Sequence, residues 1–216
     1  MGLASNGTVL AEAMHRESRA HAASLPVLVE RVLADVGRRL EDVEAIAVSI
    51  GPGSFTGLRV GLAFAKGLAF AGGVPVVPVP TLEALAWVAE ATIGETICAA
   101  LDARKREIYA AFFVAEAATL RRLGPDLALA PEVLAERLDG RCVLVGDAGE
   151  AYGELLAPRA VVRPFMTHHP RGGVVARLGW ERLLAGQAAR PGAGLGELEP
   201  VYVRPPDAAL PRPRSR

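Results

Sequence analysis

Apolar residues in this chain recur at two periods, and the switches between them mark its elements. In "MGLASNGTVLAEAM" (1–14) two short runs flank Asn6-Gly7, a pair suited to the positive φ angles of a type I′ turn, so the spacing predicts a β-hairpin. Over 22–36, Leu25, Leu28, Val29, Val32 and Val36 recur at helical spacing, with Pro26 expected in the first turn and Gly37 just past the end. "VEAIAVSI" (43–50) reads as a buried strand. A glycine loop, "GPGS", and a helix over 57–71 follow it, then a strand in "VPVVPVP" (74–80). Thr81 is placed to cap a helix over 82–91, with Glu83 in its first turn.

A second, similar set starts near residue 95. "TICAALDA" and "EIYAAFFVA" are strands joined by the turn Arg104-Lys105-Arg106, and "ATLRRL" is a third strand. "PEVLAERL" is a short helix, "CVLVGD" a strand, 170–185 a longer helix, 186–196 a loop and "EPVYVR" (199–204) an extended segment. The repetition predicts two α/β halves, 1–94 and 95–204. The proline-rich tail 205–216 is expected to lack structure.

The helix over 57–71 has too much apolar surface for a single neighbour. At 100° per residue, Gly57, Val60, Gly61, Phe64, Leu68 and Ala71 fall on one side, and Leu58, Leu62, Ala65 and Ala69 beside them. Only Arg59 and Lys66 mark a polar stripe. The apolar arc exceeds half the circumference, whereas one supporting sheet needs about 100°. Two readings stay open: a central helix buried in its own domain, or an interface helix whose Gly57, Gly61 and Ala65 allow close backbone approach.

Composition narrows the partners. The chain has 216 residues, 51% hydrophobic, with 24 Lys+Arg balancing 24 Asp+Glu. Zero net charge argues against autonomous nucleic-acid binding. No charged and apolar leader opens the sequence, and the most apolar window, about 60–79, is broken by Lys66, Gly72, Gly73, Pro75 and Pro78, so no membrane span is expected and a cytoplasmic location is. Cys98 and Cys142 fit no metal or redox spacing and read as buried thiols.

A strand, a glycine turn and a helix start form the general recipe for an anion site. The loop lacks the lysine of a P-loop, and Thr56 stands where a dinucleotide loop has its third glycine. A tight turn with Ser54 or Thr56 as helix cap is the favoured reading.

The longer motifs are more specific. "GPGSFTGLRVGLAFAKGLA", "VPVVPVPTLEALA", "LDARKREIYAAFF", "VLVGDAGEAY" and "EPVYVR" follow one another over about residues 1–206, and in that order the chain resembles the bacterial TsaB (YeaZ) family. The resemblance implies a duplicated actin-like, Hsp70-type, ribonuclease H-like α/β fold. It implies a role in making N6-threonylcarbamoyladenosine at position 37 of tRNAs that read codons starting with A, as the non-catalytic partner of the TsaD subunit that performs the transfer, with TsaE as associated ATPase. No cofactor, metal site or catalytic residue is implied, and tRNA is met only through the complex. A homodimer is possible when the partner is absent. The family's partner contact uses the first two helices, which here carry Leu25, Leu28, Val29, Val32, Gly57, Leu58, Gly61, Leu62, Phe64, Ala65 and Leu68. Family members usually open on a strand resembling "ILAIDTS" with the first phosphate loop, whereas this sequence opens at "MGLASNGTVLAEA". The resemblance therefore leads us to expect that a preceding strand would raise stability.

An enzyme reading has to meet further tests. Catalytic relatives resemble His-x-x-x-His, two imidazoles on one helix face. Here His21 is followed at i+4 by Leu25. The adjacent His168 and His169 read as loop residues, His15 as a strand-surface residue, "RGGVVARLG" (171–179) as a glycine-rich helix start, and Asp102 as a turn cap. The alternative function is an independent actin-like ATPase or glycoprotease-like metallopeptidase, and a third is an isolated tRNA-binding module.

Overall fold

The computed structural model describes residues 1–14 and 21–204. His15 and the tail expected over 205–216 lie outside the described residues. The hairpin pairs β1 (Gly2–Ser5) with β2 (Thr8–Glu12), and Asn6 and Gly7 take φ of 49° and 76°, as a type I′ turn requires. Helix α1 (His21–Ala34) follows. Pro26 sits inside it rather than in its first turn, on the exposed side, so the helix gives up one internal hydrogen bond and continues.

A 3-10 turn at Leu40–Asp42 leads into a parallel β-α-β unit: β3 (Ile46–Gly51), α2 (Phe55–Gly72) and β4 (Val76–Pro80). Helix α2 starts earlier than its apolar pattern, because Ser54 Oγ accepts the Gly57 amide at 3.3 Å. It ends at Gly73, left-handed at φ 65°. Helix α3 (Thr81–Ala86) is shorter than expected, and Thr81 does not cap it. The Thr81 hydroxyl is committed elsewhere: it lies 2.7 Å from Ser49 Oγ and accepts the Gly51 N–H at 3.0 Å.

The second half holds a six-stranded sheet. Strands β5 (Thr96–Arg104), β6 (Glu107–Ala115), β7 (Leu120–Arg122), β8 (Leu127–Leu129), β9 (Val143–Val145) and β10 (Val161–Val162) form the order β10-β9-β5-β6-β7, with β8 also on β6. β8 and β10 are too short and weakly patterned to be seen in the sequence, as are α5 (Ala148–Ala151) and α6 (Gly153–Leu156); α4 (Pro131–Arg137) is where it was expected. The central strands are buried on both faces. Ile97, Ala99, Ala111 and Phe113 pack with Leu82 and Leu85 of α3, while Cys98, Ala100, Ile108 and Ala110 pack with Leu134 of α4 and Leu156 of α6. That alternation is the period-2 pleat, and it explains runs with no polar position.

Two expectations need correction. The region 186–196 is not all loop: α8 (Ala193–Glu197) buries Leu195 against Ala69 and Val76. Nor is 95–204 one packing unit. Helix α7 (Gly172–Leu184) returns to the first half and lies on β1, β2, β3 and β4. Glycines make this approach possible: a Cβ on Gly172 would overlap the Met1 backbone, one on Gly173 the Val9 side chain, and one on Gly179 the Ala47 Cβ. We expect Gly179→Ala to cost about 1–3 kcal/mol by overpacking and to lower the melting temperature by several degrees. Gly61→Ala, where a Cβ meets nothing within 4 Å, should be neutral or stabilising. Thermal melts of both variants check the pair.

Candidate partner-binding face and the glycine loop

The glycine loop spends its own polar groups. The Gly51 amide goes to Thr81, Pro52 has no N–H, and the Gly57 and Leu58 amides return to Ser54. Gly51 is glycine for a steric reason: it sits at φ 122°, and a Cβ there would overlap the Val201 carbonyl oxygen. The chain's own C-terminal segment therefore sits against the loop, and Val201 N–H donates to the Ile50 carbonyl at 2.7 Å.

Beside the loop is a cleft of about 400 Å³ lined by Ile50, Pro80, Glu83, Phe113, Arg122 and Arg182 among others. Its charged groups are paired: Arg182 with Glu83 at 2.5 Å, and Arg122 with Asp126 at 2.8 Å. The start of α7 is occupied in the same way. The Gly173 amide donates to Glu12 Oε1 at 2.8 Å, and Arg171 donates to Glu12 Oε2 through Nε at 2.8 Å and Nη2 at 2.6 Å. Glu12 thus takes the position at this helix N-terminus that an external anion would use. Burial pushes the Glu12 carboxyl up, but the Gly173 amide, the Arg171 hydrogen bond and the Arg171 charge outweigh it and hold the group below its ordinary value of 4.5.

Asp102 Oδ1 accepts the Arg104 amide at 2.8 Å, which is turn-capping geometry. It also accepts the Tyr152 hydroxyl at 3.2 Å, and the Asp102 amide donates to Asp147 at 2.8 Å. Burial lifts the Asp147 carboxyl, against that amide bond. His168 and His169 lie in a loop, where His168 Nδ1 is 2.8 Å from Thr167 Oγ1. Both thiols are free and buried, and burial pushes Cys142 up to about 12 and Cys98 well above its ordinary value.

The first two helices divide the expected interface residues. Val32, Leu62 and Ala65 are buried inside the chain and form no surface. Leu25, Leu28, Val29, Leu58, Gly61, Phe64 and Leu68 are half-buried, and Gly57 is exposed. On α2, Leu58, Leu62, Ala65 and Ala69 form the inner face, at the spacing a helix lying on one sheet needs. The opposite face carries Ala63, Gly67 and Phe70, the last 77% exposed, and Gly61 and Gly67 open onto empty space. Phe55 at the start of α2 and Val27 on α1 are also exposed, at 43% and 62%. Sequence periodicity missed Phe55, Phe70 and Val27. The only available signal was an arc too wide for one sheet, and that signal does not say which half of the arc faces water. No helix among the described residues is long and apolar enough to cross a membrane.

Comparison with known proteins places this architecture. A family model described as tRNA N6-adenosine threonylcarbamoyltransferase, TsaD, matches residues 8–138. The solved structure of YeaZ from Pseudomonas aeruginosa superposes with a TM-score of 0.77 at 30% identity, covering 93% of this chain and 92% of that one. The chain belongs to the TsaB (YeaZ) family. Its fold is accordingly the actin-like, ribonuclease H-like α/β fold of that family. The tRNA threonylcarbamoyladenosine biosynthesis protein TsaB of Escherichia coli is 36% identical over 142 residues, 63% of this chain and 62% of that protein. The Haemophilus influenzae protein of the same name is 44% identical over 92 residues, 42% of this chain and 39% of that protein. An uncharacterized Mycobacterium tuberculosis protein is 34% identical over 200 residues, 93% of this chain and 82% of its own length. The TsaB-family glycine motif, in this member, is packed against the C-terminal segment, and the most exposed apolar surface of the first two helices lies on the outer side of α2.

The Glu12 contacts fix a pH dependence. A carboxyl with a lowered folded-state pKa stabilises the fold above its ordinary value of 4.5, and that contribution is lost as pH falls through the lower, folded value. Glu12→Gln is expected to cost about 1–2 kcal/mol at neutral pH and to flatten the decline in stability below pH 4.5. Denaturant melts of both proteins across the acid range measure this.

Proposed function

We propose that this chain is a non-catalytic subunit for N6-threonylcarbamoylation of adenosine 37 in tRNAs reading codons that start with A, acting in the cytoplasm through a heterodimer with a TsaD-type transferase and an associated TsaE-type ATPase. The observation that carries this reading is the outer face of α2. Ala63, Gly67 and Phe70 there are exposed on a helix whose inner face is already satisfied. Small residues let a second backbone approach closely, and Phe70 offers the large apolar anchor on which interfaces concentrate their energy. The family's relatives carry the pathway in their names. A catalytic reading draws on the transferase family model. Against it stands the residue four places after His21, which is the half-buried Leu25 rather than a second histidine.

Gly67→Arg tests the face. A Cβ at Gly67 meets open space, so the arginine extends into water in the free chain and circular dichroism should stay unchanged. In the complex the same side chain would be desolvated without a partner, at a cost of several kcal/mol or more, and co-purification with the TsaD-type subunit should be lost. A folded variant that still binds overturns the assignment. In a reconstituted assay, the chain alone is expected to turn over no ATP and modify no tRNA, while its addition to the transferase and ATPase restores modification. Metal-dependent hydrolysis by the chain alone, lost on substitution of His21, would favour the catalytic reading.

A further inference from the structure

Residues Gly196–Arg204 cross from one half of the molecule to the other, with a polar anchor at each end. On the first half, the Gly196 carbonyl accepts Lys66 Nζ at 3.4 Å, Val201 N–H donates to the Ile50 carbonyl at 2.7 Å, and the Tyr202 hydroxyl accepts Arg59 Nε at 3.0 Å. The Tyr202 ring lies 5.4 Å from that of Phe55, and the Arg59 guanidinium sits 4.0 Å over the Phe55 ring. On the second half, Arg204 Nη1 donates to Glu107 Oε2, at the start of β6, at 2.6 Å. Between these ends, Val201 presses its carbonyl into the space that Gly51 leaves by lacking a Cβ, and it forms part of the wall of the 400 Å³ cleft.

We infer that Gly196–Arg204 is a clasp: the glycine loop is its seat, Arg204–Glu107 is its lock, and together they tie the first turn of α2, which lies on β3 and β4, to the six-stranded sheet of the second half. The seat explains why position 51 is glycine. The Arg204 and Glu107 side chains are 24% and 38% exposed, so the lock sits where salt and a competing charge can reach it. The first turn of α2, with Phe55 and Arg59, is tied directly to Tyr202. Opening the lock therefore loosens that turn, although Glu107 belongs to the other sheet. The consequence for partner affinity rests on the proposal that α2 carries the partner face; the clasp itself does not.

Hydrogen exchange on the full chain tests it. The Val201 amide is expected to be protected in the unaltered protein. Arg204→Glu should speed its exchange, and that of residues 55–59, about tenfold or more, with circular dichroism unchanged. Combining Arg204→Glu with Glu107→Arg should restore protection, and 1 M salt should mimic the single substitution. An unprotected Val201 amide in the unaltered chain, or exchange unmoved by Arg204→Glu, overturns the clasp. Arg204→Glu should also weaken binding of the TsaD-type subunit, and the charge swap should recover it. Faster exchange with unchanged partner affinity overturns the coupling to the partner face. Retained binding by Gly67→Arg instead refutes the partner face and leaves the clasp standing.

Discussion

The first half of this molecule depends on one helix that meets the sheets through glycines at three positions, with Leu178 buried against Val79. Among the described residues, the β1–β2 hairpin and the β3–β4 pair are separate ladders with no strand joining them. Two-stranded sheets are marginal by themselves, and α7 lies across both. It comes that close because Gly172, Gly173 and Gly179 remove the Cβ atoms that would meet Met1, Val9 and Ala47. The entry of the helix is held by Glu12, which satisfies the Gly173 amide and binds Arg171 with one carboxylate. Close packing and a charged hydrogen bond thus act at the same point, and the chain's last long helix becomes the floor of its first strands.

The same economy governs the places where a ligand might be sought. At the glycine loop, the cleft and the start of α7, donors that could receive an anion are taken by the chain's own Thr81, Glu83, Asp126 and Glu12. A buried or cleft-lining polar group left unpaired is costly, so internal partners of this kind favour a fixed shape. An exposed apolar surface lies elsewhere, on the outer side of α2 around Phe70. The charged groups of the cleft beside the glycine loop are paired with one another, and the exposed helix face lies apart from it.

How much was legible in the sequence depended on whether a signal was local. The Asn6-Gly7 hairpin, the β3-α2-β4 unit and the buried strands β5 and β6 follow from residues a few places apart, through turn torsions and the 3.6 and 2.0 periods. Short elements such as β8, β10, α5 and α6 have no period to read, because they exist only through packing on the larger sheet. Thr81 looked like a helix cap from its neighbours, but a hydroxyl serves whichever donor the fold brings nearest, and that was Gly51. For the candidate face, the excess apolar arc of α2 was visible. Its division into an inner row (Leu58, Leu62, Ala65 and Ala69) and an outer row ending in Phe70 was not.

The sequence by itself determined the types of the longer elements, the glycine positions, the buried character of Cys98 and Cys142, and the ordered motifs that place the chain in its family. These are consequences of torsional preference and side-chain polarity, which act over a few residues. Only the tertiary structure decided that α7 belongs with the first half, that Glu12 occupies its N-terminus, and that Gly196–Arg204 lies against a loop more than a hundred residues earlier. Those contacts bring together segments far apart in the chain. No local propensity encodes such a meeting, because what selects it is the fit of missing Cβ atoms and paired charges once the sheets are in place.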